Sequence, residues 1–342
     1  MISFKNDYSE GAHPRILEAL TRHNFEQSDG YGCDEGCARA RALILDAVRD
    51  RSCDVHFLVG GTQVNLCLIA HALRPHEAVV SAGSGHINVH ETGAIEATGH
   101  KVLTRPAADG KLTPALVREV LEEHTDEHMV RPGLVYVSHP TEVGTLYTKQ
   151  ELEALSSFCR ERGLPLYLDG ARLSSALAAP GNDLELPDIC RLTDAFYLGG
   201  TKCGALFGEA LIIRDETLKR DFRFIQKQRG ALLAKGFLLG IQFEELLRDG
   251  LYYELGAHAN AMAEQLRGGI RGMGYSFAPE TRTNQLFPRL PDGVVEALSQ
   301  DYAFELWAKG GDKQSVIRLV TSWATKEENV ARFLEDLQRL SR

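Results

Sequence analysis

The chain has 342 residues, of which 44% are hydrophobic and 25% charged, with a formal net charge of −9 at pH 7. This length is sufficient for a large domain with a smaller one beside it. The acidic balance argues against nucleic acid or an anionic membrane as the main partner, and no apolar run approaches the roughly 20 residues needed to span a bilayer.

The N-terminal residues and the cysteines indicate the cellular compartment of the protein. The opening MISFKNDYSEG lacks the apolar segment of a secretory signal. Seven cysteines, an odd number without regular spacing, favour reduced thiols over a disulfide framework. We therefore expect a cytoplasmic protein. Cys33 and Cys37 have the spacing of a redox or metal pair, but no second pair completes such a site.

Apolar runs typical of strands alternate with helical patterns through the first two thirds of the chain. Strands are predicted at 55–59, 78–82, 134–138, 164–168 and 194–200, with helical patterns between them, one of which begins at about His86. Continuous apolar strands separated by helices indicate an α/β fold with a mainly parallel sheet covered on both faces. The spacing of Thr148 and Glu151 predicts a capping box, as does that of Thr325 and Glu328.

The pattern changes after EALIIRDE. A helix-rich stretch at about 216–272 leads to predicted strands near 284–289 and 315–321 and to a last helix from Thr325. The predicted organisation is therefore an N-terminal arm at 1–12, a large α/β domain at 13–245 and a smaller C-terminal α+β domain at 250–342.

The first candidate site is a glycine-rich turn after the strand at 55–59. Gly60, Gly61 and Thr62 join this strand to a helix, and small residues at a helix N-terminus allow an anion to approach free backbone N–H groups. The alternative is an ordinary tight turn capped by Thr62. The segment lacks the spacing of a P-loop or of a dinucleotide-binding fingerprint.

Two charged residues end other predicted strands. Asp169 follows the apolar run LPLYL, and such a carboxylate needs a cation, which is either Arg172 or the ring nitrogen of a cofactor. Lys202 follows DAFYLGGT, and a lysine with a lowered pKa readily forms a Schiff base. A glycine turn for phosphate, an aspartate for the pyridine nitrogen and a lysine for the aldehyde, in this order, indicate pyridoxal phosphate.

The segment GHINVHETGA offers a competing interpretation. On a helix, His86 and His90 would share a face next to Glu91, as in a metal site, but no third ligand follows and the pattern is not that of a zinc protease. We prefer His86 as an aromatic side chain stacked on a cofactor ring and predict no metal; a capping histidine is the other alternative.

The matching stretches FLVGGTQVNL, GHINVHETGA, TEVGTLYT, YLDGARL, GGTKCG and KQRGALLAKG resemble the L-threonine aldolase/β-eliminating lyase family of fold-type-I pyridoxal-phosphate enzymes. The resemblance covers nearly the whole chain and is greatest to the low-specificity aldolases active on phenylserine. It implies retro-aldol cleavage of L-threonine, L-allo-threonine and L-phenylserine-type β-hydroxy-α-amino acids to glycine and an aldehyde. Alternatives on the same fold are β-elimination and amino-acid racemisation.

The resemblance also implies the roles of individual residues. Catalysis would rest on Lys202, His86, Asp169 and Glu142. Cofactor contacts would come from Gly61, Thr62, His86, Asp169, Arg172, Thr201, Lys202 and Lys227. Substrate contacts would come from Ser9, Tyr31, His90, Glu142, Arg172 and Arg318, with the two arginines on the substrate carboxylate. Without the resemblance, Arg318 would be interpreted as a strand arginine on a solvated face.

Two departures from the common family pattern matter. Many members have THNG where this chain has TEVG, so that Glu142 replaces a histidine that contacts the substrate hydroxyl; the phenylserine-active branch shares TEVG. The group that removes the β-hydroxyl proton therefore remains open between His86, Glu142 and a water. Many members also have serine at the position of Thr201, which keeps the hydroxyl.

Two other classes of function, a cofactor-binding regulator and a metal hydrolase, also have to be considered, as does the oligomeric state. A cofactor-binding regulator would need a DNA-binding appendage, which this chain lacks, and a metal hydrolase would use His86, His90 and Glu91. The family implies a homodimer or homotetramer with active sites at the subunit interface and a small-molecule substrate.

Overall fold

The structure is a computed structural model that describes residues 1–341. Its thirteen strands are, in chain order, β1 (Ile2–Ser3), β2 (Asp54–Leu58), β3 (Glu77–Ala82), β4 (Lys101–Arg105), β5 (Arg131–Ser138), β6 (Leu166–Asp169), β7 (Ala195–Gly199), β8 (Glu209–Ile213), β9 (Gln285–Leu286), β10 (Arg289–Pro291), β11 (Tyr302–Ala303), β12 (Glu305–Lys309) and β13 (Gln314–Val320).

The α-helices are α1 (Pro14–Arg22), α2 (Glu35–Val48), α3 (Gly61–Ala72), α4 (His86–Val89), α5 (Pro114–Glu123), α6 (Lys149–Glu161), α7 (Leu173–Leu177), α8 (Leu186–Leu192), α9 (Glu216–Lys219), α10 (Phe222–Gln228), α11 (Phe237–Leu247), α12 (Leu251–Gly272), α13 (Asp292–Leu298) and α14 (Glu327–Leu340). Two short 3₁₀ helices lie at Glu96–Thr98 and Arg248–Gly250. Within residues 1–341, no helix is both long enough and apolar enough to cross a bilayer.

Seven strands form the central sheet, in the order β2, β8, β7, β6, β5, β3, β4. Six of them point the same way, and β8 alone is antiparallel, pairing with β2 on one side and β7 on the other. The carboxyl ends of β2, β3, β5, β6 and β7 therefore meet at one edge, together with the beginning of β8. The predicted mainly parallel α/β sheet is confirmed.

The two faces of this sheet are both covered. In β7, Phe196 and Leu198 belong to one buried cluster, whereas Ala195 and Tyr197 belong to another on the opposite face. Alternate residues of a strand point to opposite faces, so burial on both sides requires a continuous apolar run. This is why the strands of the sheet are visible in the sequence as uninterrupted apolar segments.

A third buried cluster organises the C-terminal part. It packs α12, α13 and α14 against a sheet in which β13 pairs with β9, β10 and β12. The predicted strands near 284–289 and 315–321 and the helix-rich stretch at 216–272 agree with these elements. Phe4 joins this cluster, and β1 pairs with β11. The domain boundaries at 12, 245 and 250 stay predictions.

The two predicted capping boxes have different outcomes. Thr148 and Glu151 form a complete box at the start of α6. The box of Thr325 and Glu328 is wrong, because α14 begins later, at Glu327. The Thr325 hydroxyl instead accepts the backbone N–H of Ser322 at 2.8 Å, which closes the loop before the helix.

Candidate active site

A cavity of about 280 Å³ lies at the edge where the strands of the central sheet end. Ligands of open α/β sheets gather at this edge because the loops there leave a crevice. The predicted site residues that line it are Gly61, Thr62, His86, Glu142, Asp169, Thr201 and Lys202. The other predicted residues, which do not line it, are Ser9, Tyr31, His90, Arg172, Lys227 and Arg318.

The carboxylate of Asp169, the last residue of β6, is held by several donors. It accepts hydrogen bonds from the hydroxyls of Tyr197 (2.5 Å) and Tyr136 (2.7 Å), the backbone N–H of Ala171 (3.0 Å) and the side-chain amide of Asn65 (3.2 Å). Burial pushes the pKa of Asp169 upward, but the nearby His86 and the tyrosine hydroxyls outweigh it, so that the pKa lies below its usual value. The cavity therefore contains a fixed anion.

The tyrosines around Asp169 were not identified from the sequence. Tyr136, Tyr167 and Tyr197 occupy neighbouring strands β5, β6 and β7, and the Tyr167 hydroxyl donates to Asn65 at 2.7 Å. Each tyrosine stands in an otherwise apolar run, and a buried tyrosine needs a partner for its hydroxyl. One tyrosine in each of three adjacent predicted strands was the available signal.

His86 is fixed by a buried acid. Its Nδ1 lies 2.8 Å from Oε1 of Glu91, which also accepts the Asn65 amide at 2.7 Å. Burial lowers the pKa of His86, but the hydrogen bond to Glu91 and the charge of Glu142 raise it more, so the net shift is upward. This arrangement favours an imidazole that donates a hydrogen bond from Nδ1 to Glu91 and turns its Nε2 away from that acid.

The predicted helix at His86 is a single turn, α4, and His90 lies just after it. The two imidazole rings are 5.5 Å apart. Within residues 1–341, three donor side chains come within metal-binding distance of one another only at Asp50, Cys53 and Cys190, none of which lines the cavity. The structure does not bring His86, His90 and Glu91 together as a ligand set.

Arg172 pairs with Asp7 and not with Asp169. Its Nε and a terminal nitrogen donate to the two oxygens of Asp7 at 2.7 and 3.0 Å, and Asn284 donates to the same carboxylate at 2.9 Å. The interpretation that Arg172 merely compensates Asp169 is therefore wrong. Asp7 was missed because 165 positions separate it from Arg172 in the chain.

Arg318 is not on a solvated face. Its side chain is 12% exposed, pairs with Glu305 at 2.8 Å and lies over the ring of Trp307. Burial and the charge of Arg172 lower the pKa of Arg318. The guanidinium groups of Arg172 and Arg318 repel each other, so a carboxylate bound between these two positive charges would be stabilised.

The turn after β2 provides free backbone donors. Helix α3 begins at Gly61, and its N-cap, Gly60, offers no side chain to the first N–H groups. A Cβ atom at Gly61 would lie 2.9 Å from the Tyr197 hydroxyl oxygen, so a side chain there would disturb the donors of Asp169. The turn thus lies against a tyrosine that donates to Asp169.

Lys202 follows β7 and is half-buried in the cavity that Asp169 lines. By contrast, Lys227 lies on α10 with its ammonium group 4.4 Å from the centre of the Tyr31 ring. Tyr31 is 43% exposed. These two residues form a contact of their own, separate from the cavity of the same chain.

A mainly parallel sheet with a lysine and an anionic aspartate at its strand ends defines the class as a fold-type-I pyridoxal-phosphate enzyme. The family model described as beta-eliminating lyase matches residues 12–291. The chain belongs to the beta-eliminating lyase family.

Individual relatives agree with this assignment. The low specificity L-threonine aldolase of Pseudomonas sp. (strain NCIMB 10558) is 33% identical over 98% of this chain and 96% of that protein. A solved structure of a threonine aldolase from Leishmania major is 53% identical to this chain. The match covers the whole of both chains and has a TM-score of 0.99. An aspartate aminotransferase from Thermus thermophilus, 16% identical with a TM-score of 0.74 over 99% of this chain and 91% of that one, shares the fold.

The predicted family, fold class and enzyme class, a pyridoxal-phosphate-dependent lyase, are confirmed by these matches. The family and the fold imply pyridoxal phosphate as the cofactor.

Proposed function

We propose that this protein cleaves β-hydroxy-α-amino acids such as L-threonine, L-allo-threonine and L-phenylserine to glycine and an aldehyde, with pyridoxal phosphate as cofactor. The observation that supports this most is the fixed anion of Asp169 in the same cavity as the amine of Lys202. Curated relatives over nearly the full chain are named low specificity L-threonine aldolases.

The residues of the cavity fit this cofactor. Asp169 is an ionised acceptor for a protonated pyridine nitrogen, and Lys202 offers an amine for the aldehyde. The uncapped start of α3 at Gly61 and Thr62 offers N–H donors and a positive dipole end for phosphate. We assign Thr201 to the phosphate as well, and His86 to the face of the ring. When bound, the cofactor supplies an electron sink for cleavage of the Cα–Cβ bond.

Two arginines would bind and orient the substrate. Arg172 keeps one terminal nitrogen free of Asp7, and Arg318 is the second cation beside it. If both arginines bound the substrate carboxylate, they would hold the amino acid in one rotation. That rotation determines which bond is broken, so the arginines would act by positioning the substrate. We assign Ser9, whose hydroxyl donates to Asn6 at 2.9 Å, and His90 to the periphery of the same substrate.

Glu142 is our proposed acceptor of the β-hydroxyl proton. It lines the cavity, and within residues 1–341 its carboxylate has no hydrogen bond or ion pair that would occupy it. His86, by contrast, carries a raised pKa and is bound to Glu91, which suits it to hold a proton rather than to remove one.

Assembly and location form part of the proposal. Tyr8 and Val59 line the cavity and are exposed hydrophobic residues, which supports a partner subunit covering the mouth in a homodimer or homotetramer. Tyr31 and Lys227 would then serve a partner's site, since they line no part of this chain's cavity. Seven free cysteines support a reducing, cytoplasmic location.

The test is a product assay with purified holoenzyme on the three substrates. Glycine with acetaldehyde or benzaldehyde is expected. With these substrates, 2-oxobutanoate or phenylpyruvate together with ammonia would indicate β-elimination instead. Interconversion of L- and D-alanine, supplied in a separate assay, would indicate a racemase.

The role of Glu142 has its own test. Glu142→Gln should lower kcat far more than it weakens glycine binding, whereas Glu296→Gln, an exposed acid on α13, should change neither. An equal loss of kcat and glycine affinity in Glu142→Gln would reject the role.

A further inference from the structure

A second buried carboxyl group lines the cavity and has no part in the function proposed above. Glu209 is the first residue of β8, the antiparallel strand, and its register partners are Leu58 at the end of β2 and Gly199 at the end of β7. It therefore lies where the strand before the phosphate-binding turn and the strand before Lys202 both end. The residue is 4% exposed.

Glu209 holds the segment that carries Lys202. Its Oε2 accepts the backbone N–H of Gly200 at 2.8 Å, and the hydroxyl of Thr201 is close enough to its carboxyl group to lower its pKa. The Thr201 hydroxyl oxygen also accepts the backbone N–H of Gly208 at 3.0 Å. The acid thus contacts both residues that precede the lysine.

The surroundings of Glu209 favour its neutral form. Glu209 has no ion pair within residues 1–341, although Lys202 is close enough to attract its carboxylate. The other ionisable groups that interact electrostatically with Glu209 are Asp169, Tyr167, Tyr197, Cys203 and Tyr252. Burial raises the pKa of Glu209 to about 8, against the lowering effect of Thr201, Gly200 and Lys202. In the same cavity, therefore, the pKa of Glu209 is raised and the pKa of Asp169 is lowered.

The proton on Glu209 would decide the direction of the neighbouring hydrogen bonds. A hydroxyl has one hydrogen to donate and two positions that accept. If Glu209 is ionised, Thr201 must donate its only hydrogen to the carboxylate. If Glu209 is protonated, its O–H donates to Thr201, and the Thr201 hydrogen becomes available to a phosphate.

We propose that Glu209 is a positioning residue that must be protonated for the phosphate of the cofactor to bind, so that binding of the phosphate ester keeps one proton on the protein. This rests on the proposed cofactor and on the assignment of Thr201 to its phosphate. An anionic Glu209 would oppose the phosphate twice, by repulsion and by withdrawing the Thr201 donor.

The experiment measures binding of 4′-deoxypyridoxine 5′-phosphate, which has the phosphate but no aldehyde, to the apoprotein by calorimetry between pH 6.5 and about 9.5. With the wild-type protein, affinity should fall about tenfold per pH unit above about pH 8. Glu209→Gln keeps an acceptor for Gly200 and a donor for Thr201, so its affinity should match the wild-type value at pH 7 and vary much less above pH 8. Thr201→Val should bind weakly and keep only the part of the pH dependence that comes from repulsion.

The outcomes separate this inference from the proposed function. Absence of binding by the wild-type protein at every pH overturns both. Tight wild-type binding whose pH dependence is unchanged in Glu209→Gln overturns the role of Glu209 alone. If Glu209→Gln fails to fold, the wild-type binding heats can be measured at pH 8.5 in two buffers of different ionisation enthalpy. Net proton uptake that is smaller in Thr201→Val supports the inference, and no uptake contradicts it.

Discussion

The ionisation of Asp169 depends on two tyrosine hydroxyls that can be removed one at a time. Tyr197 and Tyr136 are both buried, and their hydroxyls donate to different oxygens of the carboxylate at 2.5 and 2.7 Å. Substitution of either tyrosine by phenylalanine deletes one donor and leaves the ring in place. The expected result is a higher pKa for Asp169 with little change in shape.

The size of the effect follows from the charge of the acceptor. A hydrogen bond to a charged group contributes about 1.5–3 kcal/mol, and one pKa unit corresponds to about 1.4 kcal/mol. Each substitution should therefore remove about 1.5–3 kcal/mol of stabilisation of the ionised carboxylate and raise the pKa of Asp169. Burial alone would raise the pKa of Asp169 and the two hydroxyls act against it, so the upward change should be largest in the double variant.

The sign for stability follows from the lowered pKa. The stabilisation by ionised Asp169 is present above the pKa of the unfolded chain and is lost as the pH falls through the folded pKa. The variants should therefore unfold about 1.5–3 kcal/mol more easily per hydroxyl at pH 7, and should lose less further stability on acidification than the wild-type protein does.

The assay is the acid limb of kcat/KM for L-phenylserine, together with urea unfolding at pH 7 and at a pH below the unfolded-chain pKa of about 3.9. The limb should move to higher pH, furthest in the double variant. Tyr302→Phe is the matched control, because its hydroxyl donates to a different acid, Asp336, at 2.7 Å in the C-terminal part. A double variant that loses activity with an unmoved acid limb would refute the reasoning.

Two further predictions concern stability. Asp7→Ala leaves the buried guanidinium of Arg172 without its partner and should cost about 3–5 kcal/mol of unfolding free energy in urea titrations; a loss below about 1 kcal/mol would contradict the buried pair. Within α12, Gly256→Ala should destabilise by about 1–3 kcal/mol, because a Cβ there would lie 2.3 Å from a backbone oxygen of α7. Gly268→Ala, an exposed position of the same helix with open space, should instead stabilise by about 1 kcal/mol, and equal effects of the two changes would count against this packing.

Much of the fold was predictable because both faces of the central sheet are covered. Burial on both faces makes each strand a continuous apolar run, and the strand ends then place Asp169 and Lys202 at one edge. Thr148 and Glu151 were predictable for a similar reason, since a capping box is encoded within four residues.

The rest depends on contacts between distant parts of the chain. Asp7 reaches Arg172 only after folding, and nothing near Arg172 in the sequence indicates that partner. The hydroxyls that hold Asp169 belong to tyrosines that are otherwise ordinary core residues of neighbouring strands. Glu209 was missed because its place in the cavity follows from the antiparallel direction of β8, which the apolar run EALII does not encode.

The proposed function requires Lys202 to hold the aldehyde of pyridoxal phosphate beside the anion of Asp169. The most direct measurement is to reduce the holoenzyme with borohydride, digest it and locate the modified lysine by mass spectrometry. We expect one pyridoxyl group per chain, on Lys202, and none in Lys202→Ala. A label on another lysine, or a wild-type protein that takes up no cofactor and carries no label, would contradict it.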